Sequence, residues 1–446
     1  MARLGTTRTA RGPPTRTARA VVACTAVLAA GRKGDPDRIP SEFQYWTNLD
    51  APWARRARRV LHWIFGVDPI LPDAIVREFA RAYYDADPVA EAFVDDVYMT
   101  RGQKAGRAML DRAIEHGVAA IADAPASLVR LFGEIETRPA WLDVRKMEHG
   151  ARVFRRWGTH LYSLAGAITC EGYQECSVAK PLAFTGAYTG ESANRRFLET
   201  AQFWIDVSEP GGLERGGRGV QTCLRVRIMH VFVRRRLLAH PAWDLAAWGV
   251  PISQADAMLT LLGGSFIPGY LLKLLGYRNS REDIEATLHF WRYVGHLVGV
   301  QPRWYPDTIE DALGLAFTSQ VKGVRRAGDD AKHLARSYLA SYAPAEHDRG
   351  RARLAKAWDY RRQLGFVSLF LPARSYREYD LPRPGIWRVL PALDVPEVLA
   401  LETVRRWHPS IDAWVDARAR NATKRWVRTR LGERTAEYRA VESFTR

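Results

Sequence analysis

One run constrains this chain more than any other: Arg225 to Arg234, reading Arg-Val-Arg-Ile-Met-His-Val-Phe-Val-Arg, sets a single histidine among arginines in an otherwise apolar stretch. On a helix of about 3.6 residues per turn, Arg227, His230 and Arg234 stand at i, i+3 and i+7 and share a face with Val231, Leu237 and Leu238. Burying a guanidinium costs on the order of several kcal/mol unless an anion pairs with it. The segment holds no Asp or Glu, so the anion is expected from elsewhere. A ligand carrying carboxylates and a metal that accepts imidazole satisfies the whole stripe. Heme fits, with propionates for Arg227 and Arg234 and iron for His230.

The chain is long enough, at 446 residues, to bury a large core. Its 47% hydrophobic content, with 15 Trp and 16 Phe, argues against a disordered chain. The net charge of +17 raises nucleic acid, anionic membrane or acidic ligands as partners. The basic residues are scattered and no helix-turn-helix, zinc-finger or RNA-binding signature accompanies them, so no specific nucleic-acid binding is expected. Cys24, Cys170, Cys176 and Cys223 form no Cys-x-x-Cys pair, which suits free thiols in a reduced, cytoplasmic setting. Arg8 to Arg19 followed by the alanine-rich run Ala20 to Ala30 resembles a signal peptide poorly; residues 1–40 are expected to be a basic extension, disordered or targeting.

Helical periodicity follows from Phe43 to Ser341 with little β-type alternation, so the fold is expected to be mainly α, with one large helical domain over 41–341. Helices are predicted at Asp73 to Tyr84, Gly102 to His116, Pro125 to Phe132, Val144 to Ala167, Asn194 to Val207, Val220 to His240, Ser253 to Leu261, Ser280 to Val298 and Thr308 to Arg325. Residues 342–446 read as a C-terminal cap or tail with a charged helix at Arg351 to Gln363, a proline-spaced segment and an exposed basic helix at Trp407 to Arg430. Leu259 to Gly276 approaches membrane-spanning length, but Pro268 and its glycines make it a buried helix, a loop and a short helix, with peripheral membrane contact left open.

Gly211, Gly212, Gly216, Gly217 and Gly219 crowd the connection between the Asn194 and Val220 helices. This reads as a turn that brings the two helices face to face. On the first helix Arg196, Thr200, Phe203 and Val207 share a face, so Arg196 and Thr200 are expected to oppose Arg227, His230 and Arg234 across a flat apolar slot. In such a slot a guanidinium stabilises negative charge developing on dioxygen, and a hydroxyl donates a hydrogen bond or positions water.

Thr185-Gly186, Arg196, Thr200, Pro210-Gly-Gly-Leu213, Arg225 to His230, Arg234, Pro251-Ile-Ser-Gln254, Glu285, His289, Trp291 and Leu297-Val-Gly-Val300 together resemble the family of fungal MpaB-type oxygenases and bacterial rubber oxygenases (latex clearing proteins), over roughly Trp141 to Gln301. The resemblance implies a globin-related helical core with flanking helices, a b-type heme, and dioxygen-dependent cleavage of C=C bonds in an isoprenoid chain. It makes His230 the proximal iron ligand, places Arg196 and Thr200 at the distal side, and matches Arg227 and Arg234 to the arginines of the ligand helix. Rubber-cleaving members place a lysine before the threonine and an acidic residue upstream; here Glu199 and Lys180 stand at those places.

Two other readings compete. Glu282, Glu285, His289 and His296 share a helix face and suggest a metal site, although no second Glu-x-x-His helix partners them. A non-enzymatic carrier of heme or a lipophilic ligand needs the same apolar slot without oxygen chemistry.

Overall fold

The computed structural model describes residues 38–186 and 191–431, so the expected N-terminal extension and Cys24 lie outside the described residues except for its last few positions. The helices that bear on the site are, in chain order, α1 (Pro52–Phe65), α2 (Pro88–Phe93), α3 (Ala126–Glu136), α4 (Val144–Arg156), α5 (Gly158–Gly172), α6 (Cys176–Thr185), α7 (Glu191–Ser208), α8 (Arg218–Leu238), α9 (Gln254–Gly264), α10 (Phe266–Leu271), α11 (Arg281–Leu297), α12 (Gly328–Ala340), α13 (Gly350–Phe370) and α14 (Pro409–Leu431). No strand occurs among the described residues, as the periodicity predicts.

The architecture is centred on α4 and α11. A Cβ on Gly150 would lie 1.9 Å from the Ala286 carbonyl oxygen, so glycine there lets the two helices meet almost backbone to backbone. Asp143 caps α4 through the Lys146 N–H, and Ser280 with Asp283 forms a reciprocal capping box on α11. Aromatic rings then tie α7 to this pair: Phe154 packs on Trp291 at 5.2 Å and on Trp204 at 5.7 Å. The single helix predicted over Val144 to Ala167 is two, because Gly158 takes φ +54° and turns the chain. The buried Trp157 at this break donates from Nε1 to Asn279 Oδ1 at 3.1 Å.

A second cluster of buried side chains, including Cys170, Tyr173, Leu334, Tyr338, Leu364 and Tyr379, joins α5 to α12 and α13. It therefore spans the expected boundary at residue 341. The basic C-terminal helix is packed as well: Val415 and Val427 are buried, Trp426 lies 5.4 Å from Tyr162, and Arg155 meets Asp416 at 3.0 Å. Its arginines are spent partly on neighbours, with Arg420 on Glu209 at 2.6 Å.

The apolar stretch near Leu259 to Gly276 breaks at Ser265, between α9 and α10, and continues as a turn of 3₁₀ helix to Leu275. Gln254–Leu275 is long and apolar enough to cross a bilayer by length and composition, yet 56% of its apolar window is buried within the fold. Cys170, Cys176 and Cys223 are buried free thiols.

Candidate functional site

Helix α8 carries the opening motif, and its arginines find their anions within the protein. Arg227, only 2% exposed, donates from Nε to Asp87 Oδ2 at 2.6 Å and from Nη2 to Asp87 Oδ1 at 2.9 Å, while Nη2 also reaches Glu134 Oε2 at 2.7 Å. Burial opposes the Arg227 charge, but the hydrogen bonds and charges of Asp87 and Glu134 outweigh it and hold its pKa above the ordinary value. Arg234 donates from Nη1 to Glu91 at 2.8 Å and to the carbonyls of Pro251 at 3.0 Å and Ile252 at 2.9 Å. Ile252 sits at φ +53°, an uncommon conformation for a β-branched residue, and its carbonyl is one of those Arg234 holds. Arg235 shares Glu91 at 2.9 Å.

The expectation that Arg227 and Arg234 hold the carboxylates of a cofactor is corrected by these contacts. Asp87 and Glu91 stand about one turn apart, on and just before α2, and form a two-point clamp on α8 from some 140 residues upstream. One donor stays uncommitted: Arg227 Nη1 is buried with no hydrogen-bond partner among the described residues. Gly299, at φ +84°, closes over the ion pair, where a Cβ would come within 2.0 Å of Asp87 Oδ2. A cavity of about 300 Å³ opens beside the pair, walled by Arg227, Glu134, Gln254, Gln301 and Trp304; His230 does not line it.

His230 differs from its arginine neighbours. Its side chain is part-buried, and the imidazole makes no hydrogen bond among the described residues. Burial first, then the nearby Arg234 charge, pushes its pKa down to about 4, so the imidazole is neutral at physiological pH. A neutral, part-buried imidazole without a hydrogen bond is the chemistry an axial heme ligand requires, and this residue fits the group. The two clamped arginines already have protein carboxylates as partners.

The glycine connection brings α7 and α8 together as expected. A Cβ on Gly212 would lie 2.3 Å from the Asp206 carbonyl oxygen, and one on Gly219 2.7 Å from it. The buried Asp206 side chain links the helices, accepting from Gln202 Nε2 at 2.7 Å on α7 and Thr222 Oγ1 at 3.1 Å on α8. Burial raises its pKa. On α7 the half-buried Arg196 donates from Nη1 to Glu199 Oε2 at 2.9 Å, and Arg195 donates to Glu199 Oε1 at 3.1 Å. Thr200, exposed, donates to the Arg196 carbonyl at 3.1 Å, one turn back. Lys180 on α6 reaches Asp330 at 2.5 Å.

The residues weighed as a second metal site are dispersed. His289 Nε2 accepts from the Asp143 N–H at 3.0 Å, His296 Nε2 lies 3.2 Å from the Glu134 carbonyl oxygen, and Glu285 pairs with Arg281 at 3.0 Å. No three His, Cys, Asp or Glu side chains group to hold a metal ion among the described residues.

Sequence reasoning missed Asp87, Glu91, Glu134 and Asp206. The signal for the first two was available: carboxylates four apart in the run Asp87-Pro-Val-Ala-Glu91-Ala-Phe-Val are expensive to bury without cations.

This helical scaffold, with its histidine-bearing α8 and the glycine turn before it, places the chain in a family: residues 151–395 match the model described as ER-bound oxygenase mpaB/B'/Rubber oxygenase, catalytic domain, and the chain belongs to that family. Among individual relatives, it is 28% identical over 234 residues to the rubber oxygenase of Streptomyces sp. (strain K30), a match covering 51% of this chain and 55% of that protein. The chain thus spans about half the length of this curated relative. Its fold is similar to that of the latex clearing protein LCP in the closed state, with a TM-score of 0.55 and 20% identity over 78% of this chain and 91% of that one.

Proposed function

We propose that this protein is a heme b-dependent oxygenase that cleaves C=C bonds of an isoprenoid-type chain with dioxygen, and that His230 is the residue that would hold the heme iron. The observation that carries the reading is the part-buried imidazole of His230, held neutral and without a hydrogen bond among the described residues, in a chain that belongs to the oxygenase family. Bound heme supplies the capacity to activate dioxygen. The chain's own residues do the rest. Asp87, Glu134 and Glu91 fix the rotation and depth of α8 through Arg227 and Arg234, which sets where the imidazole stands. Burial, and after it the Arg234 charge, disfavours protonation of that imidazole. Glu199 holds the Arg196 guanidinium within α7, and Thr200 offers its hydroxyl oxygen as an acceptor while donating to the Arg196 carbonyl. In this reading Arg196 steadies negative charge developing on the oxidant and Thr200 orients a proton donor.

One observation favours the carrier instead: Arg196 and Thr200 both bond within α7. The deciding experiment incubates heme-loaded protein with a panel of isoprenoids under oxygen and looks for aldehyde and ketone products. Oxygen-dependent carbonyl products support the oxygenase. Heme-loaded protein that leaves every isoprenoid intact supports the carrier.

A further inference from the structure

Helix α1 exposes four large apolar side chains, and the oxygenase reading makes no use of it. Its sequence is Pro-Trp-Ala-Arg-Arg-Ala-Arg-Arg-Val-Leu-His-Trp-Ile-Phe. Ala54, Ala57, Leu61 and Phe65, at i, i+3, i+7 and i+11, turn inward against the core. The outward arc divides in two. One flank carries Arg55, Arg58, Arg59 and His62, along a shallow concavity they line with Pro52 and Asp68. The other carries Trp63 at 85% exposure, Ile64 at 56%, Val60 at 48% and Trp53 at 47%, with Arg56 among them.

A solvated helix has no reason to present two tryptophans, an isoleucine and a valine beside a row of arginines. A lipid–water interface gives one: tryptophan favours the headgroup region, apolar side chains enter the acyl boundary, and guanidinium groups meet anionic headgroups. Opposing charge on the helix is slight, since Asp68 pairs with Arg58 and α1 itself carries no acidic residue. Off the helix, a corner at Tyr270–Leu274 lies beside its inner edge. Phe65 sets its ring 4.8 Å from Tyr270 on α10, Lys273 lies 4.6 Å over that same ring, and Leu274 beyond it is 66% exposed.

We propose that α1, with the Tyr270–Leu274 corner, is a docking surface for a bilayer bearing anionic lipid, on which the helix lies in the plane of the interface. The proposal is independent of the oxygenase reading. Its test is co-sedimentation of the full chain with vesicles of phosphatidylcholine alone and of phosphatidylcholine mixed with phosphatidylglycerol. Because one arginine near an anionic surface strengthens binding roughly fivefold, wild-type protein should prefer the mixed vesicles by about tenfold or more and lose that preference in high salt. The exposed-site variant Val60→Ser/Trp63→Ser/Ile64→Ser should lose about tenfold or more of the binding to mixed vesicles while keeping its far-UV spectrum. Arg55→Glu/Arg59→Glu should lose mainly the preference for phosphatidylglycerol. Wild type that ignores mixed vesicles overturns the proposal, as does a serine variant that binds them equally. So does light scattering that shows a dimer dispersed by the serine variant, which would make a second copy the occupant.

Discussion

Replacing Asp87 by Asn separates the charge of this side chain from its capping role. The Asp87–Arg227 pair is nearly inaccessible, with side chains 7% and 1% exposed, and it is held by bonds of 2.6 and 2.9 Å. Removing one partner of such a pair costs about 3–5 kcal/mol, because the remaining charge is stranded. Glu134 still holds Nη2 at 2.7 Å, but its side chain is 27% exposed, so it compensates only in part. We therefore expect Asp87→Asn to cost about 3 kcal/mol. Asp87 also accepts the Ala90 N–H at 3.1 Å as the cap of α2, and Asn caps about as well as Asp. Asp87→Ala should thus lose about 1 kcal/mol more. Urea unfolding followed by far-UV circular dichroism reads both differences. An Asp87→Asn variant within about 0.5 kcal/mol of wild type would show that the buried pair does not hold α8, and the reasoning would fail; surface pairs have that small worth.

Further expectations follow from the packing and the buried acids. Gly150→Ala, whose Cβ would strike the Ala286 carbonyl at 1.9 Å, should destabilise by about 1–3 kcal/mol despite alanine's better helix propensity, and a gain in urea midpoint would contradict the close contact of α4 with α11. Burial raises the pKa of Asp256 to about 6, above its unfolded value of 3.8, even though Lys322, Ser177 and Ser253 pull the other way. The folded state thus binds that proton more tightly, so the charge costs stability above pH 6 and the cost fades as pH falls toward 4. Wild type should accordingly gain up to about 3 kcal/mol relative to Asp256→Asn between pH 7 and pH 4, and parallel pH profiles for the two proteins would count against a buried titrating carboxyl. Burial likewise pushes the Cys176 thiol up to about 12 and the Cys170 and Cys223 thiols higher still, so peptide mapping should find all three unlabelled by alkylating reagent in native protein and labelled in urea.

What could be read in the sequence was local. The period of α8 placed His230 and its arginines on one strip, and the glycine cluster announced the turn between α7 and α8, because both signals lie within a few helical turns. The partners of the arginines were illegible from that segment: Asp87 is 140 residues from Arg227 and Glu134 is 93, and nothing in a local period says which distant helix arrives. The unmatched charge was a correct observation, and carboxylates of the protein itself meet it. The break at Trp157 was hidden for a related reason. Nothing in the local spacing marks the turn, which Gly158 makes at φ +54° while the buried Asn279 and Tyr277 bond Trp157 from across the core. The C-terminal helix read as an exposed basic surface because its arginines are many, whereas Glu209 and Asp416, which take up Arg420 and Arg155 at that interface, become neighbours only in three dimensions.

The account's central claim is that His230 is the ligand of a bound heme, and hemin titration followed by absorbance tests it directly. The purified 446-residue chain should take up one heme per chain and develop a Soret band. His230→Ala should lose that band and keep its helical far-UV spectrum. A folded wild type that takes up no heme, or a His230→Ala variant with the same Soret band and affinity, would contradict the claim.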